Sequence, residues 1–172
     1  NAQKYYKDYQ KAKNAEHILT EQIEKGRSEL EYIDSVLDTV SRAESERELA
    51  QIREELTEQG YLRKQKGKQR PQAALPPLEF TSSDGFKILV GRNNTQNDKL
   101  TLKIANKNDM WLHTKDIHGS HTVVFAEGRE ISDTAILEAA QLAAYYSKAR
   151  ESSQVPVDYT LVRYVSKPSG AR

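Results

Sequence analysis

The feature that most constrains this 172-residue chain is a heptad seam. Tyr5, Tyr9, Ala12, Glu16, Leu19, Ile23, Gly26, Leu30, Ile33, Leu37 and Val40 alternate steps of four and three for about five heptads. Only Glu16 and Gly26 interrupt it. Such a repeat predicts one helix, roughly 55 Å long at 1.5 Å per residue. A turn is expected near Ser41–Ser45, where Ser45 and Glu48 form a capping-box signature opening a second helix. The second seam is Leu49, Ile52 and Leu56, and Gly60 stands where a helix-ending cap belongs. Folded back, this shorter helix covers less than half of the first. The stripe from Tyr5 to Ile23 is then unpartnered, so an upstream helix of the same protein or a second copy is expected to complete the coil.

Composition agrees with an elongated shape: 37% hydrophobic residues, 30% charged, and a mean hydropathy of −0.80. The formal charge of +1 conceals an uneven distribution. Residues 1–60 carry nine Lys/Arg against fourteen Asp/Glu; residues 61–77 carry Arg63, Lys64, Lys66, Lys68 and Arg70 with no acid; residues 78–172 carry twelve against eleven. An acidic arm (1–60), a basic linker ending in Pro-Pro (61–77) and a near-neutral head (78–172) are therefore expected. The linker is a solvated connection that can add non-specific phosphate affinity. There is no cysteine, which excludes disulfides and thiolate zinc sites. No apolar run approaches the roughly 20 residues of a membrane span, so no membrane role is expected.

From Leu78 the period becomes two. Phe86, Ile88 and Val90 alternate, as do Leu100, Leu102 and Ile104, and His121, Val123 and Phe125; Asp84-Gly85 marks a hairpin. Gly91–Lys99 and Asn106–Asp109 read as polar connections. One helix, capped by Ser132, runs through Ile136, Ala139, Ala140, Ala143 and Ala144 to about Arg150, and Val157–Val165 returns as a strand. The fold class is α+β: a helical hairpin arm, then a small, mostly antiparallel sheet with one main helix. The chain stops soon after a strand, and a missing edge element is expected.

Two stretches can carry recognition chemistry. Arg92, Asn93, Asn94, Gln96, Asn97 and Asp98 follow a strand as a run of polar side chains that reads as unable to form core. Amides offer a donor and an acceptor together, which suits base edges, and Arg92 suits a phosphate or guanine. The alternative is a loop whose Asn and Asp side chains bond their own backbone. The second stretch, Trp111 to His121, holds the only tryptophan and three of the four histidines. The histidine spacing matches no familiar metal pattern. Trp111, His113 and His121 beside Lys115 can instead stack bases and meet phosphates, with Asp116 orienting Lys115 or capping the Gly119 turn. Trp111 on a strand is equally a core residue. No nucleophile elbow or P-loop is present, so no catalytic residue, cofactor or metal is expected.

These residues carry a resemblance. L-x-F-x-S-S-D-G-F at 78–86, V-G-R-N-N-x-Q-N-D at 90–98, N-D-M-W-L-H-T-K-D at 108–116 and G-S-H at 119–121 form a dense set. L-A-A-Y-Y-S-K-A-R at 142–150, V-D-Y-T at 157–160 and V-S-K-P-S-G-A at 165–171 extend it. The set resembles the RNA-binding module (NFACT-R) of the NFACT family of fibronectin-binding protein A, RqcH and NEMF-like ribosome quality-control factors; the arm resembles that family's coiled coil. The resemblance implies a cytoplasmic factor that binds the obstructed large ribosomal subunit and tRNA or ribosomal RNA and supports C-terminal alanine tailing of stalled chains. It implies no self-contained enzyme, because the family's N-terminal half is absent. Fibronectin binding at the cell surface is the alternative. The family commonly has I-P-G-S-H where this chain has Ile117-His118-Gly119-Ser120-His121, so His118 carries no family role.

Overall fold

The computed structural model describes residues 2–63 and 73–167. Helix α1 spans Ala2–Arg42 and is about 60 Å long. Helix α2, Glu46–Glu58, folds back after a three-residue turn. The Ser45 hydroxyl accepts the Glu48 amide and the Glu48 carboxylate accepts the Ser45 amide, completing the capping box. At the other end Tyr61 N–H donates to Leu56 O and Gly60 N–H to Thr57 O, a Schellman closure with Gly60 at φ +84°.

The seam behaves differently from the sequence expectation. Tyr5, Tyr9, Leu19 and Ile23 are exposed, but so are Leu30, Leu37 and Val40, which lie beside α2 in the chain. The face that α1 buries is Val36, Asp38 and Thr39, flanked by half-buried Tyr32, Ile33 and Ser35. Adjacent helical positions point about 100° apart, so Val36 and Leu37 cannot face the same neighbour. The turn and the head below it set α2 on the Val36 side. Among the described residues the heptad seam is therefore exposed except at half-buried Ile33, and Leu30, Leu37 and Val40 lie open in the part that α2 was expected to cover.

The head is a five-stranded sheet, every pairing antiparallel, ordered β1-β2-β4-β3-β5. The strands are β1 Leu78–Thr81, β2 Lys87–Val90, β3 Met110–Thr114, β4 Thr122–Val124 and β5 Val157–Leu161. Gly85 turns the first hairpin at φ +85°. Helix α4, Asp133–Tyr145, capped by Ser132, lies on one face and ends earlier than Arg150. Phe86, Ile88, Leu112 and Val124 meet Ala135, Ala139 and Ala143 there; the small side chains let the helix approach the sheet closely.

Two further expectations change. Gly91–Lys99 is not an irregular connection: residues Asn94–Lys99 form helix α3, with Asn93 as its cap. Leu100, Leu102 and Ile104 are not a strand, because the helix continues as a π-helical turn, Leu100–Ile104, closed by Ala105 N–H on Leu100 O. The three alternating apolar residues do not share a face. Leu100 and Ala105 point at the sheet's second face, packing with Leu89, Val123, Phe125 and Trp111, while Leu102 and Ile104 face solvent. A run of polar residues is also compatible with burial: Asn93 and Asn97 are each only 6% exposed, because their amides are satisfied internally.

Candidate nucleic-acid interface

The amide-rich stretch is built as a joint. Asn93 accepts the Gln96 amide at 2.9 Å, and Gln96 reaches back to accept the Arg92 amide at 3.0 Å and donates to Leu75 O at 2.7 Å. Asn94 Nδ2 donates to Ser35 Oγ on α1 at 2.8 Å and to Glu55 Oε1 on α2 at 3.3 Å. The other Glu55 oxygen accepts the Thr95 amide at the start of α3. Arg92 pairs with Glu48 of α2 and donates to Pro76 O at 2.9 Å. Glu48 thus serves the capping box and the ion pair at once. Burial opposes its charge, but the Glu44 amide, Arg92 and Ser45 outweigh that and hold its carboxyl below the ordinary value. Arg42 closes the joint from α1, gripping Asp38 at 2.7 Å and Ser120 Oγ at 3.3 Å.

The second stretch abuts the first. Asn97 Oδ1 accepts the His121 amide at 3.0 Å, while Nδ2 reaches Gly119 O at 3.5 Å. Gly91 lies against this carboxamide, and a Cβ there would collide with Asn97 Oδ1. Gly119 is equally confined, since a Cβ would meet Thr114 Oγ1 and Ser147 Cβ. Trp111 and His113, two apart on β3, share the second face of the sheet and stack at 5.8 Å between centroids. His121 stands edge-on to both, 5.2 Å from Trp111 and 5.4 Å from His113. All three rings are half-buried. Trp111 is partly core, packed against Leu89, Leu100, Val123 and Phe125, and its Nε1–H is buried without a partner among the described residues.

Burial pushes the His121 imidazole down to about 4, helped by neighbouring His113 and opposed by Asp98; burial lowers His113 as well. Both rings are neutral at pH 7. They can stack or hydrogen-bond a base but cannot act there as phosphate-binding cations. His121 Nδ1 is already 2.8 Å from Thr101 Oγ1. The cation at this end is Lys115, exposed in the turn after β3, next to exposed Asp116 at φ +54°. Asp98 pairs with Lys167 at 2.7 Å. Among the described residues no third His, Cys, Asp or Glu joins a pair of these histidines in a metal-holding group.

The predicted residues are therefore adjacent but unequal. Arg92, Asn93, Asn94, Gln96 and Asn97 are engaged within the chain; Trp111, His113 and His121 form a half-open ring cluster; Lys115 and Asp116 face solvent. Of the basic linker, Arg63 is exposed, and Lys64, Lys66, Lys68 and Arg70 lie outside the described residues. Sequence reasoning missed the arm residues that receive the loop, Ser35, Arg42 and Glu55. It also missed three exposed lysines, two on the α3–π segment and one in the turn after it, hidden when Leu100–Ile104 was read as a strand.

The structure is thus a small α+β domain with a ring cluster on one sheet face, joined through an amide-rich helix to a helical arm. Residues 77–171 match the NFACT protein RNA binding domain and residues 1–74 match the NFACT N-terminal and middle domains; the chain belongs to the NFACT family. Along its whole length it is 49% identical to the Rqc2 homolog RqcH of Bacillus subtilis (strain 168) and 45% identical to that of Streptococcus suis (strain 05ZYH33). It spans 30% and 31% of those proteins. The fold is also that of the C-terminal part of the fibronectin/fibrinogen-binding protein from Streptococcus suis, with a TM-score of 0.93 and 44% identity over 99% of this chain and 68% of that one.

Proposed function

We propose that this chain is the RNA-binding and ribosome-docking portion of a quality-control factor, acting in the cytoplasm on large subunits obstructed by a stalled nascent chain. The observation that carries this reading is the match of the head to the family's RNA-binding domain. The half-open Trp111–His113–His121 cluster supports it: neutral rings beside the exposed Lys115 suit an unpaired base followed by a phosphate. On this reading Arg92 and the amides of Asn93, Asn94, Gln96 and Asn97 hold the head at a set angle to the arm, with Asp98 at their edge, and the nucleotide contacts fall to Trp111, His113, Lys115, Asp116 and His121. The chain binds rather than catalyses. Its contribution to alanine tailing is to place the rest of the protein and its tRNA on the subunit. The exposed heptad seam is covered by another helix of the same protein.

Co-sedimentation of the chain with purified large subunits across a salt series tests the proposal. Retention that weakens steeply with salt is expected. Absence from the ribosomal pellet at low salt, together with retention on immobilised fibronectin, overturns it in favour of the adhesive reading that the Streptococcus suis relative's name raises.

A further inference from the structure

The α3–π segment carries a charge pattern that the joint and the ring cluster do not use. Lys99 and Lys103 lie four residues apart along this continuous helical segment, and Lys107 follows in the turn after it; all three are exposed. None of the three side-chain amines has a hydrogen-bond or ion-pair partner among the described residues. Arg163 lies against this turn, its amide and Nε both donating to Lys107 O and its Nη2 to Asn108 Oδ1. Tyr164 beside it is 72% exposed. From 99 to 107 the sequence holds no acid except the flanking Asp98 and Asp109. Asp98 is neutralised by Lys167, and Asp109 is buried, accepting the Asn106 and Ala126 amides.

A cation in the last turn of a helix complements its dipole, which accounts for Lys99 at the end of α3 and Lys103 at the end of the π turn but not for Lys107 beyond it. Solvated helix faces ordinarily interleave acids with lysines, gaining i,i+4 pairs. Here the acids are missing where such pairs would form, and exposed Leu102 and Ile104 lie among the lysines. An anionic, partly apolar partner resolves both features. A polynucleotide is one, since its phosphates repeat at a spacing that extended lysines can follow and its riboses and bases offer contact surface.

We propose that Lys99, Lys103 and Lys107, with Arg163 beside them, form a phosphate-binding ridge for an RNA backbone. This rests on the reading that the head binds RNA. It adds that the main electrostatic contact is the π-turn, not the amide-rich loop. Because Leu100 and Ala105 of the same segment pack with Trp111, the ridge borders the ring cluster, and one strand can engage both.

The test uses the full 172-residue chain and a labelled 20-nucleotide single-stranded RNA. Lys99→Gln/Lys103→Gln/Lys107→Gln is expected to lower the salt slope of log K by about 2–3 and affinity by about tenfold or more near 0.1 M salt. The triple Lys→Arg variant is expected to keep the wild-type slope. In the wild-type chain, RNA is expected to slow acetylation of these three amines, a readout that does not depend on any variant folding. Wild-type binding with an unchanged Lys→Gln slope, or with no protection of the three amines, overturns the ridge and leaves RNA binding standing. No wild-type binding overturns the RNA reading and the ridge with it. Poly-glutamate competing as well as RNA overturns the assignment of the ridge to a polynucleotide.

Discussion

The His121 amide donates to the Asn97 side chain at 3.0 Å, and that bond joins the amide-rich helix α3 to the edge of the ring cluster. Asn97 is 6% exposed and lies against Gly91, so its carboxamide works as a buried crosslink between two chain segments. Asn97→Ala leaves the His121 amide without its acceptor. An unfolding free energy lower by about 1–3 kcal/mol is expected in urea titration. Gly91→Ala is expected to destabilise as well, because its Cβ meets the Asn97 side chain. The double variant is expected to lose less than the sum of the two, since removing the carboxamide vacates that space. Strict additivity would show that the two residues are not coupled.

The Arg92–Glu48 pair ties head to arm, and both side chains are mostly shielded from water. Arg92→Ala is expected to cost about 1–3 kcal/mol, less than a fully buried pair because each partner keeps some solvent access. The loss should concentrate at the joint, read as faster amide exchange over α2 than over α4. Glu48 has a lowered pKa, so its contribution is complete above the ordinary carboxylate range and falls away as pH drops through the folded value. Arg92→Ala is expected to leave the salt slope of RNA binding unchanged, because the guanidinium is already occupied.

Lys115 is the opposite case. Because Lys115 is exposed in the turn after β3, Lys115→Ala is expected to leave the melting temperature within about 2 °C of wild type, as surface changes do. It should lower the salt slope of RNA binding by about 0.7–0.9, one phosphate's share. An unchanged slope would remove Lys115 from the interface.

His121 makes the fold sensitive to acid. Its imidazole is pushed down to about 4 in the folded protein and titrates near 6.5 when unfolded. Between those values the unfolded chain binds more protons. Stability therefore falls as pH drops from about 6.5 towards 4, by up to about 1.4 kcal/mol per pH unit for this one group, and levels off below. His113 adds in the same direction. Urea titrations at pH 7.5, 6.0 and 5.0 should show the decline, and His121→Phe should flatten it. An equal pH dependence in the variant would assign the effect elsewhere.

The distal half of α1 makes no tertiary contacts among the described residues, so its helicity rests on local propensity. Amides of residues 5–25 are expected to exchange orders of magnitude faster than those of residues 32–42. A synthetic partner helix that covers the Tyr5–Ile23 seam should slow them.

The sequence by itself determined what local rules control. The heptad run made α1 helical, Ser45 with Glu48 and Gly60 bounded α2, Asp84-Gly85 turned the first hairpin, and period-two alternation placed β2 and the His121–Phe125 strand. The same capping signature stands at Asn93 and Gln96, with the Gln96 side chain reaching the Arg92 amide. Helix α3 was thus legible, and the density of amides drew the reading towards recognition instead. Alternation at Leu100, Leu102 and Ile104 was ambiguous in a different way, because a five-residue run is too short to separate a strand from one wide helical turn. Only the tertiary structure decided which face of α1 is buried, since Val36 and Leu37 are both apolar and the choice is made by where Ser35, Glu55 and Asn94 meet. The same holds for which polar side chains remain available to a ligand. A side chain's chemistry is written in the sequence, but whether its donors and acceptors are already satisfied depends on partners brought from distant parts of the chain, and those meet only when the arm and head close on each other.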